Sequence, residues 1–313
     1  MENLIVSSSP HIHSRATTSN IMRDVVIALL PATVASVVLF GFKAALMIAV
    51  CVASAILSEF IFNLIAKKKQ TIGDFSAVVT GLLLALNLST KVELWQCMLG
   101  SMFAIIIVKC VFGGLGKNFA NPAITGRIFL VIAFSAVAGG AHTVFTPEIS
   151  AGATPLEVIK SGSGTLPSLV DMIIGNRGGA IGETCAIALI IGFAYLLFKK
   201  IISWHIPVVF VGTVFVLSLI VKQDLTIALY EVLGGGLLIG AIFMATDYVT
   251  SPMGRLAKVI FAFGCGVITV LIRFWGSYPE GVSFAILFMN ILSPYIEKIH
   301  IIKPLGGIKN VKK

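Results

Sequence analysis

Charged residues are scarce in this sequence, since only 12% of its 313 residues are Asp, Glu, Lys or Arg, against 57% that are hydrophobic. Soluble domains carry roughly 25% charged residues, which keep their surfaces hydrated. A chain with so few charged residues cannot keep the whole surface of a folded soluble domain of this length hydrated. The composition therefore excludes an ordinary soluble domain and predicts that most of the chain lies in a lipid bilayer.

The sequence also lacks the short motifs that mark several enzyme classes. It contains no Walker A motif, no strand-preceded G-x-G-x-x-G and no H-E-x-x-H zinc helix, and no Ser/His/Asp set can be assembled. Its cysteines lie in apolar stretches without a C-x-x-C pair, which predicts buried thiols, no disulfide and no local iron–sulfur motif. We therefore expect neither a catalytic residue nor a metal site in this chain.

Ten apolar runs approach the length of about 20 residues that a transmembrane helix needs. They are Val25–Phe42, Ala44–Ala66, Phe75–Leu88, Leu94–Phe112, Ala123–Ala138, Ile181–Phe198, Ile206–Val221, Ile227–Ala245, Leu256–Ile272 and Val282–Ile296. The segment before the first run is polar, so we expect that run to be an uncleaved anchor. The predicted fold class is an all-α integral membrane protein with about ten transmembrane helices.

The net charge of +9 comes from basic residues in the short segments beside these runs. With a cytoplasmic N-terminus, fifteen of the 23 Lys and Arg residues fall on the cytoplasmic side, six on the other side and two within spans. This bias is the positive-inside pattern of membrane proteins. It predicts a multi-pass protein with both termini in the cytoplasm and argues against nucleic-acid binding.

Five runs precede the long segment 139–180 and five follow it, which predicts two repeats, the second inverted because each holds an odd number of spans. The tripeptide that begins at Gly81 recurs at Gly236, an offset of 155, and the turn at Pro122 recurs at Pro279, an offset of 157. Because these prolines open the short fifth and tenth spans, we expect broken helices there around a midplane site. Chance recurrence in an apolar chain is the alternative.

The predicted organisation has five parts, with the long segment placed outside the cytoplasm. They are a polar cytoplasmic tail (1–22), a first five-helix repeat (23–138), an extracytoplasmic loop (139–180), a second five-helix repeat (181–297) and a basic cytoplasmic tail (298–313).

Ionisable groups within or beside the spans are functional candidates by default. Glu59, Lys109 and Arg127 lie within spans and Asp247 just past one, although Lys109 could also reach the membrane surface and Asp247 the cytoplasm. Two segments, 113–122 and 246–252, are rich in Gly, Pro, Asn and Thr. They are either ordinary connections or the lining of a cavity that coordinates a cation. The candidate ion-path residues are Asn121, Asp247 and Thr250.

The loop 139–180 holds one accessible hydroxyl of special interest. Thr154 follows small residues, and Pro155 after it favours an extended backbone at the threonine. A modifying enzyme could reach such a side chain. Taken alone, however, G-A-T-P is a common loop string, and the motif needs support from the rest of the chain.

Seven segments in order along the chain resemble those of a known membrane family. They are Ser8–His11, Thr80–Ala85, Gly113–Ala123, Ala153–Leu156, Trp204–Pro207, Thr246–Thr250 and Ile272–Asn290. Each is moderately specific alone, but together they extend over nearly the whole chain. On these segments the chain resembles the D subunit of Rnf complexes and, more distantly, the B subunit of the sodium-translocating NADH:quinone reductase.

The resemblance implies ten helices in two inverted halves, in the cell membrane of a prokaryote. It also implies FMN joined through its phosphate to Thr154 by a flavin transferase, and a non-covalent flavin such as riboflavin as a further cofactor. The family's transferase motif reads D-x-x-S-G-A-T. Here Glu148 stands for the Asp and Ala151 for the Ser, while 152–154 match the motif.

The implied partners are the A, B, C, E and G subunits of an Rnf complex, in which this chain is one subunit of an ion-translocating oxidoreductase. The complex would couple electron transfer from reduced ferredoxin to NAD⁺ with Na⁺ or H⁺ translocation, and the Thr154 flavin would relay electrons. No ferredoxin or NAD site is visible, so those sites would belong to partners. Two other functions stay open: a redox-inactive channel or transporter, and a membrane scaffold without an ion path.

Overall fold

The computed structural model describes residues 17–134, 154–162 and 164–299. All regular elements in these ranges are helices, as predicted. Glu148 and Ala151 of the transferase motif lie outside the described residues. The helices are α1 (Thr18–Phe40), α2 (Phe42–Ile65), α3 (Ser76–Leu86), α4 (Leu94–Cys110), α5 (Pro122–Ala133), α6 (Pro155–Ser161), α7 (Leu169–Ile174), α8 (Ala186–Phe198), α9 (His205–Lys222), α10 (Leu225–Leu233), α11 (Leu237–Met244), α12 (Arg255–Trp275) and α13 (Val282–Ile299).

Five of these helices, α1, α2, α9, α12 and α13, are long and apolar enough to cross a membrane alone. The pair α10 and α11 makes a sixth span that bends by 58° at a short break. The other predicted runs contain the shorter apolar helices α3, α4, α5 and α8. Each of the ten predicted runs thus contains a helix, and the fold class of a multi-span, all-helical membrane protein is confirmed.

The two ends of the bundle differ in their connections. We call the end at which α1 begins the near face; there Ser19 Oγ donates to the Gly73 carbonyl oxygen between α2 and α3 at 3.0 Å. The opposite end, the far face, carries α6, α7 and the non-helical segment 176–185. On that side Ser36 Oγ, close to the end of α1, donates to the Ile181 carbonyl oxygen at 2.8 Å. That the near face is the cytoplasmic one stays a prediction.

Helix packing relates the two halves of the chain. The first helices of the halves, α1 and α8, pack together, and so do the last ones, α5 and α13. Arg127 Nη1 donates to Ser283 Oγ at 2.9 Å across 156 positions, and Asn87 Nδ2 lies 3.6 Å from Met244 Sδ across 157 positions. These spacings are close to the offsets of 155 and 157 between the recurring sequence segments. The two halves therefore contact each other at these places, whereas their relation as inverted repeats stays a prediction.

The predicted breaks in the fifth and tenth spans are wrong. Pro122 occupies the first turn of α5, where a missing N–H costs little, and Pro279 precedes α13. The break lies in the eighth span instead, between α10 and α11. Gly235 and Gly236 adopt φ values of 65° and 66° there, a left-handed backbone that ends a helix and that glycine adopts without strain.

The sixth run is also shorter than predicted, because α8 begins at Ala186 and not at Ile181. The residues before α8 bond to the end of α3 instead of forming a helix. The Ile181 N–H donates to the Leu88 carbonyl oxygen at 3.0 Å, and the Gly182 N–H donates to that of Leu86 at 2.8 Å. Segment 176–185 thus enters the bundle from the far face as irregular backbone buried in protein, where such backbone is tolerated.

Candidate functional site

Thr154, the predicted attachment residue, is the N-cap of α6. Its backbone is extended, as expected before Pro155. The expectation that its hydroxyl is accessible is wrong, because the side chain packs with α6 and is only 4% exposed. Thr154 Oγ1 accepts from the Glu157 N–H at 3.3 Å, and Glu157 Oε2 accepts from the Thr154 N–H at 2.7 Å, which completes a capping box. A phosphodiester on this hydroxyl would have to replace or share the bond from Glu157. The attachment itself stays a prediction.

Helix α6 is held against the broken span by its second residue. Leu156 is buried, and an ideal Cβ on Gly235 would lie 2.2 Å from Leu156 Cδ1. At the other end of α6, Lys160 Nζ donates to the carbonyl oxygens of Gly276 and Tyr278 at 2.6 and 2.9 Å. Thr154 is therefore positioned two residues from a leucine that fills the break between α10 and α11.

Charged side chains inside the bundle form three ion pairs among the described residues. Lys109 Nζ lies 2.9 Å from Glu59 Oε2, and Arg273 Nη1 lies 2.9 Å from Glu231 Oε2. The third pair joins Arg127 to Glu280. Lys109 does not reach the membrane surface, since it is 1% exposed and also donates to a buried serine hydroxyl. The three predicted intramembrane groups are thus all paired.

Two guanidinium groups satisfy the carbonyl oxygens that the break leaves without helical partners. Arg273 Nη2 donates to the oxygens of Gly234 and Gly235 at 3.1 and 3.4 Å. Arg177 Nη2 donates to the Leu233 oxygen at 2.7 Å and to the Glu183 backbone oxygen at 3.1 Å. The break is thereby fixed by side chains from α12 and from segment 176–185.

Glu183 lies beside the same break and differs from the paired acids. Its side chain is 2% exposed, and neither carboxylate oxygen has a hydrogen-bond partner among the described residues. Arg177 and Arg127 face this carboxylate with positive charge, and Glu280 faces it with negative charge. Glu183 precedes α8, in the irregular segment that lies inside the bundle.

A second polar region lines a cavity of about 780 Å³ at the near face. Asn121 is one of its wall residues and is the N-cap of α5. Asn121 Oδ1 accepts from the backbone N–H groups of Ala123 and Ile124 at 3.0 and 3.3 Å, and Nδ2 donates to the Met244 carbonyl oxygen at 3.2 Å. The side chain therefore fastens α5 to the end of α11 in the other half.

Asp247 lines the same cavity, and Thr250, three residues later, donates a hydrogen bond to its carboxylate. Asp247 Oδ2 accepts from Thr250 Oγ1 at 3.1 Å, and Oδ1 accepts from the Val249 N–H at 3.5 Å. Burial raises the pKa of Asp247, which lies in a loop, while these two hydrogen bonds lower it. The structure thus brings the three predicted ion-path residues into one region. Each has protein partners, and their role in an ion path stays a prediction.

The sequence analysis missed most of the charged residues that surround the break between α10 and α11. It did not single out Arg177, Glu183, Glu231, Arg273 or Glu280. Two of these acids, Glu183 and Glu231, fall inside predicted apolar runs, and an acid in such a run is itself a signal for a functional or paired group. The other three lie at the ends of runs, where no pattern reveals that the backbone folds inward.

Comparison with known proteins gives consistent similarity over the whole chain. The model of the NQR2, RnfD, RnfE family matches residues 5–306. The chain is 44% identical to the D subunit of the Na⁺-translocating ferredoxin:NAD⁺ oxidoreductase complex of Acetobacterium woodii, over 99% of this chain and 98% of that protein. It is 40% identical to the D subunit of the proton-translocating ferredoxin:NAD⁺ oxidoreductase complex of Clostridium ljungdahlii, over 94% and 93%.

Proposed function

Because the chain belongs to the NQR2, RnfD, RnfE family, we propose that it is the membrane-embedded D subunit of an Rnf-type complex. In this role it helps to couple electron transfer from reduced ferredoxin to NAD⁺ with the movement of Na⁺ or H⁺. The observation that carries the proposal is near full-length similarity to two subunits with such names. The A, B, C, E and G subunits would then be its partners, with the near face in the cytoplasm.

We propose further that Thr154 carries FMN through a phosphodiester formed by a flavin transferase. FMN supplies one- and two-electron transfer, whereas the protein supplies its position and electrostatics. Next to α6 lies a cleft whose wall includes Lys160, Lys222, the ring of Phe274 and the neutral Glu231–Arg273 pair. Lysine ammonium groups suit a phosphate and an aromatic ring suits a flat cofactor, so these residues fit FMN.

In this arrangement the chain's own residues fix the attachment point. Leu156 and Lys160 hold α6 to the break and to the loop before α13, so the threonine has little freedom to move. Lys222 lies over the Phe274 ring at 5.3 Å, which places one positive charge at the cleft wall. These residues would orient a tethered cofactor toward the far face, where another protein of the complex could exchange electrons with it.

The near-face cavity is our candidate for a non-covalent flavin such as riboflavin. Asn118 lines this cavity, and its Oδ1 is buried with no hydrogen-bond partner in the described part of the chain. An unpaired acceptor of this kind suits a ring N–H, so the residues fit a planar nitrogen heterocycle.

The experiment that tests the proposal is intact-mass analysis of the chain purified from its native complex, together with in-gel flavin fluorescence after denaturation. One FMN adduct is expected, and Thr154→Ala should abolish it. Thr226→Ala, which removes an exposed threonine of the far face, is the matched control and should keep it. A chain without any adduct in an active complex would favour the redox-inactive transporter or the scaffold instead.

A further inference from the structure

Among the described residues, Glu183 is the buried glutamate that lacks an ion pair. Glu59, Glu231 and Glu280 each lie within 4.0 Å of a cationic nitrogen. Both oxygens of Glu183 lack a hydrogen-bond donor in the described ranges. An ionised carboxylate in such a place is costly, because burial removes its hydration and no donor among the described residues replaces it. The buried guanidinium of Arg177, whose Nε and Nη1 also lack partners in the described ranges, offsets part of this cost, and a cation bound directly to the carboxylate would offset the rest.

The backbone around the carboxylate leaves little room. An ideal Cβ on Gly179 would lie 2.6 Å from Glu183 Oε1, and one on Gly236 would lie 3.1 Å from Oε2. Two glycines thus form a close-fitting cradle around this carboxylate. Helix α10 enters from the far face and has nine residues before the break, which corresponds to about 13 Å at 1.5 Å per residue. The carboxylate therefore lies deep in the bundle, close to its middle.

The groups around Glu183 suit a proton better than a metal cation, because few free oxygen ligands remain there. Arg177 from its own segment and Arg127 from α5 face it with positive charge, and Glu280 before α13 with negative charge. On the side of α10 and α12, the Glu231–Arg273 pair is neutral. A hard cation needs several oxygen ligands, but guanidinium groups already occupy the carbonyl oxygens of the break. A proton needs only the carboxylate itself.

We propose that Glu183 is a proton-binding site at the junction of the two halves, in which the carboxylate takes up one proton reversibly. A pocket of about 400 Å³ gives the proton an approach, since it reaches Arg127, Glu280 and Ser283 next to the cluster. If the chain is a subunit of an ion-translocating complex, this site would bind a proton within the membrane. A role of Glu183 in translocation therefore rests on the proposed function. The binding itself is independent of any flavin or partner.

The test is infrared difference spectroscopy of the purified full-length chain in lipid nanodiscs, recorded across a pH series. We expect a carboxylic-acid carbonyl band that disappears reversibly as the pH is raised and that shifts in deuterated water. Glu183→Gln should abolish this band. Glu93→Gln, the same change at an exposed carboxylate on the far face, should keep it.

A wild-type sample with carbon-13-labelled glutamate tests separately whether the band belongs to a glutamate, because the label must then shift it. This test does not depend on how a variant folds. The proposal is overturned if no glutamate band titrates across the pH series, or if the band survives in Glu183→Gln. Loss of the band on adding NaCl but not choline chloride at constant pH would overturn the proton assignment in favour of a sodium site. Absence of the FMN adduct would count against the proposed function and leave this result unchanged.

Discussion

Leu156 occupies the space that a side chain on Gly235 would need: the distance from Leu156 Cδ1 to an ideal Cβ at that glycine is 2.2 Å. The contact joins α6, whose N-cap is Thr154, to the break in the eighth span. The predicted cofactor attachment and the irregular centre of the bundle are therefore one mechanical unit.

Gly235→Ala should disrupt this unit. The new methyl group would overlap Leu156 and would sit on a backbone with φ of 65°, so strain and overpacking together are expected to cost about 2–4 kcal/mol. The measurement is the apparent melting temperature in detergent. Gly212→Ala is the control, because a Cβ there meets nothing within 4 Å and should leave the temperature unchanged or raise it slightly. Equal melting temperatures for the two variants would contradict the contact.

Lys109→Met should be strongly destabilising. It removes the partner of the buried Glu59 and leaves an uncompensated charge, which typically costs about 3–5 kcal/mol. The double variant Glu59→Gln with Lys109→Met removes both charges and is expected to recover most of the loss. Melting temperatures of Lys109→Met, Glu59→Gln and the double variant give the coupling free energy between the two side chains. If the effects simply add, the pair does not interact as the structure has it.

Stability should depend on pH through Asp247, which lies in a loop at the near face. Burial raises its folded-state pKa above the ordinary value, although two hydrogen bonds oppose the increase. In the pH range between the two values the folded chain holds a proton that the unfolded chain has lost, so stability falls as pH rises through that range. Melting temperatures of wild type should decline accordingly, and those of Asp247→Asn should decline less.

Glu93→Gln, at an exposed carboxylate, should decline as steeply as wild type. An Asp247→Asn curve parallel to that of wild type would show that Asp247 keeps an ordinary pKa.

Asn121→Ala should lower stability by about 2 kcal/mol, because it removes the N-cap of α5 and the bond to the Met244 carbonyl oxygen. Asn121→Ser should recover the part of this loss that comes from the cap, since serine is also a good N-cap. In vesicles that contain the complex, the predicted role of Asn121 in the ion path requires fewer ions taken up per electron in Asn121→Ser. A normal ratio in that variant would contradict this role and leave Asn121 with its structural one.

The sequence predicted the helices well because a bilayer imposes one simple rule. Apolar runs must be helical there, so each of the ten runs contains a helix. It did not predict the irregular backbone, since Ile181 and Gly182 look like part of an apolar span and yet bond to the end of α3. Partners that are far apart in sequence, such as Arg177 and the Leu233 oxygen, leave no local pattern.

The site was predictable to the same extent. Thr154 could be singled out from local composition and from a family motif, and the described structure places it at a helix N-cap. Glu183 carried the signal of an acid inside an apolar run, but that signal does not distinguish it from the paired Glu231. Its lack of a partner within the described residues is visible only in the folded chain. The break was assigned to prolines because proline is the stronger signal in a sequence, although two left-handed glycines cause it.

The contact between Arg127 and Ser283 joins α5 of the first half to the first turn of α13 in the second. Arg127 also pairs with Glu280, just before α13. A motion that separates the two halves at this place would have to break both interactions together. The guanidinium group of Arg127 therefore acts as a clamp that resists such a separation.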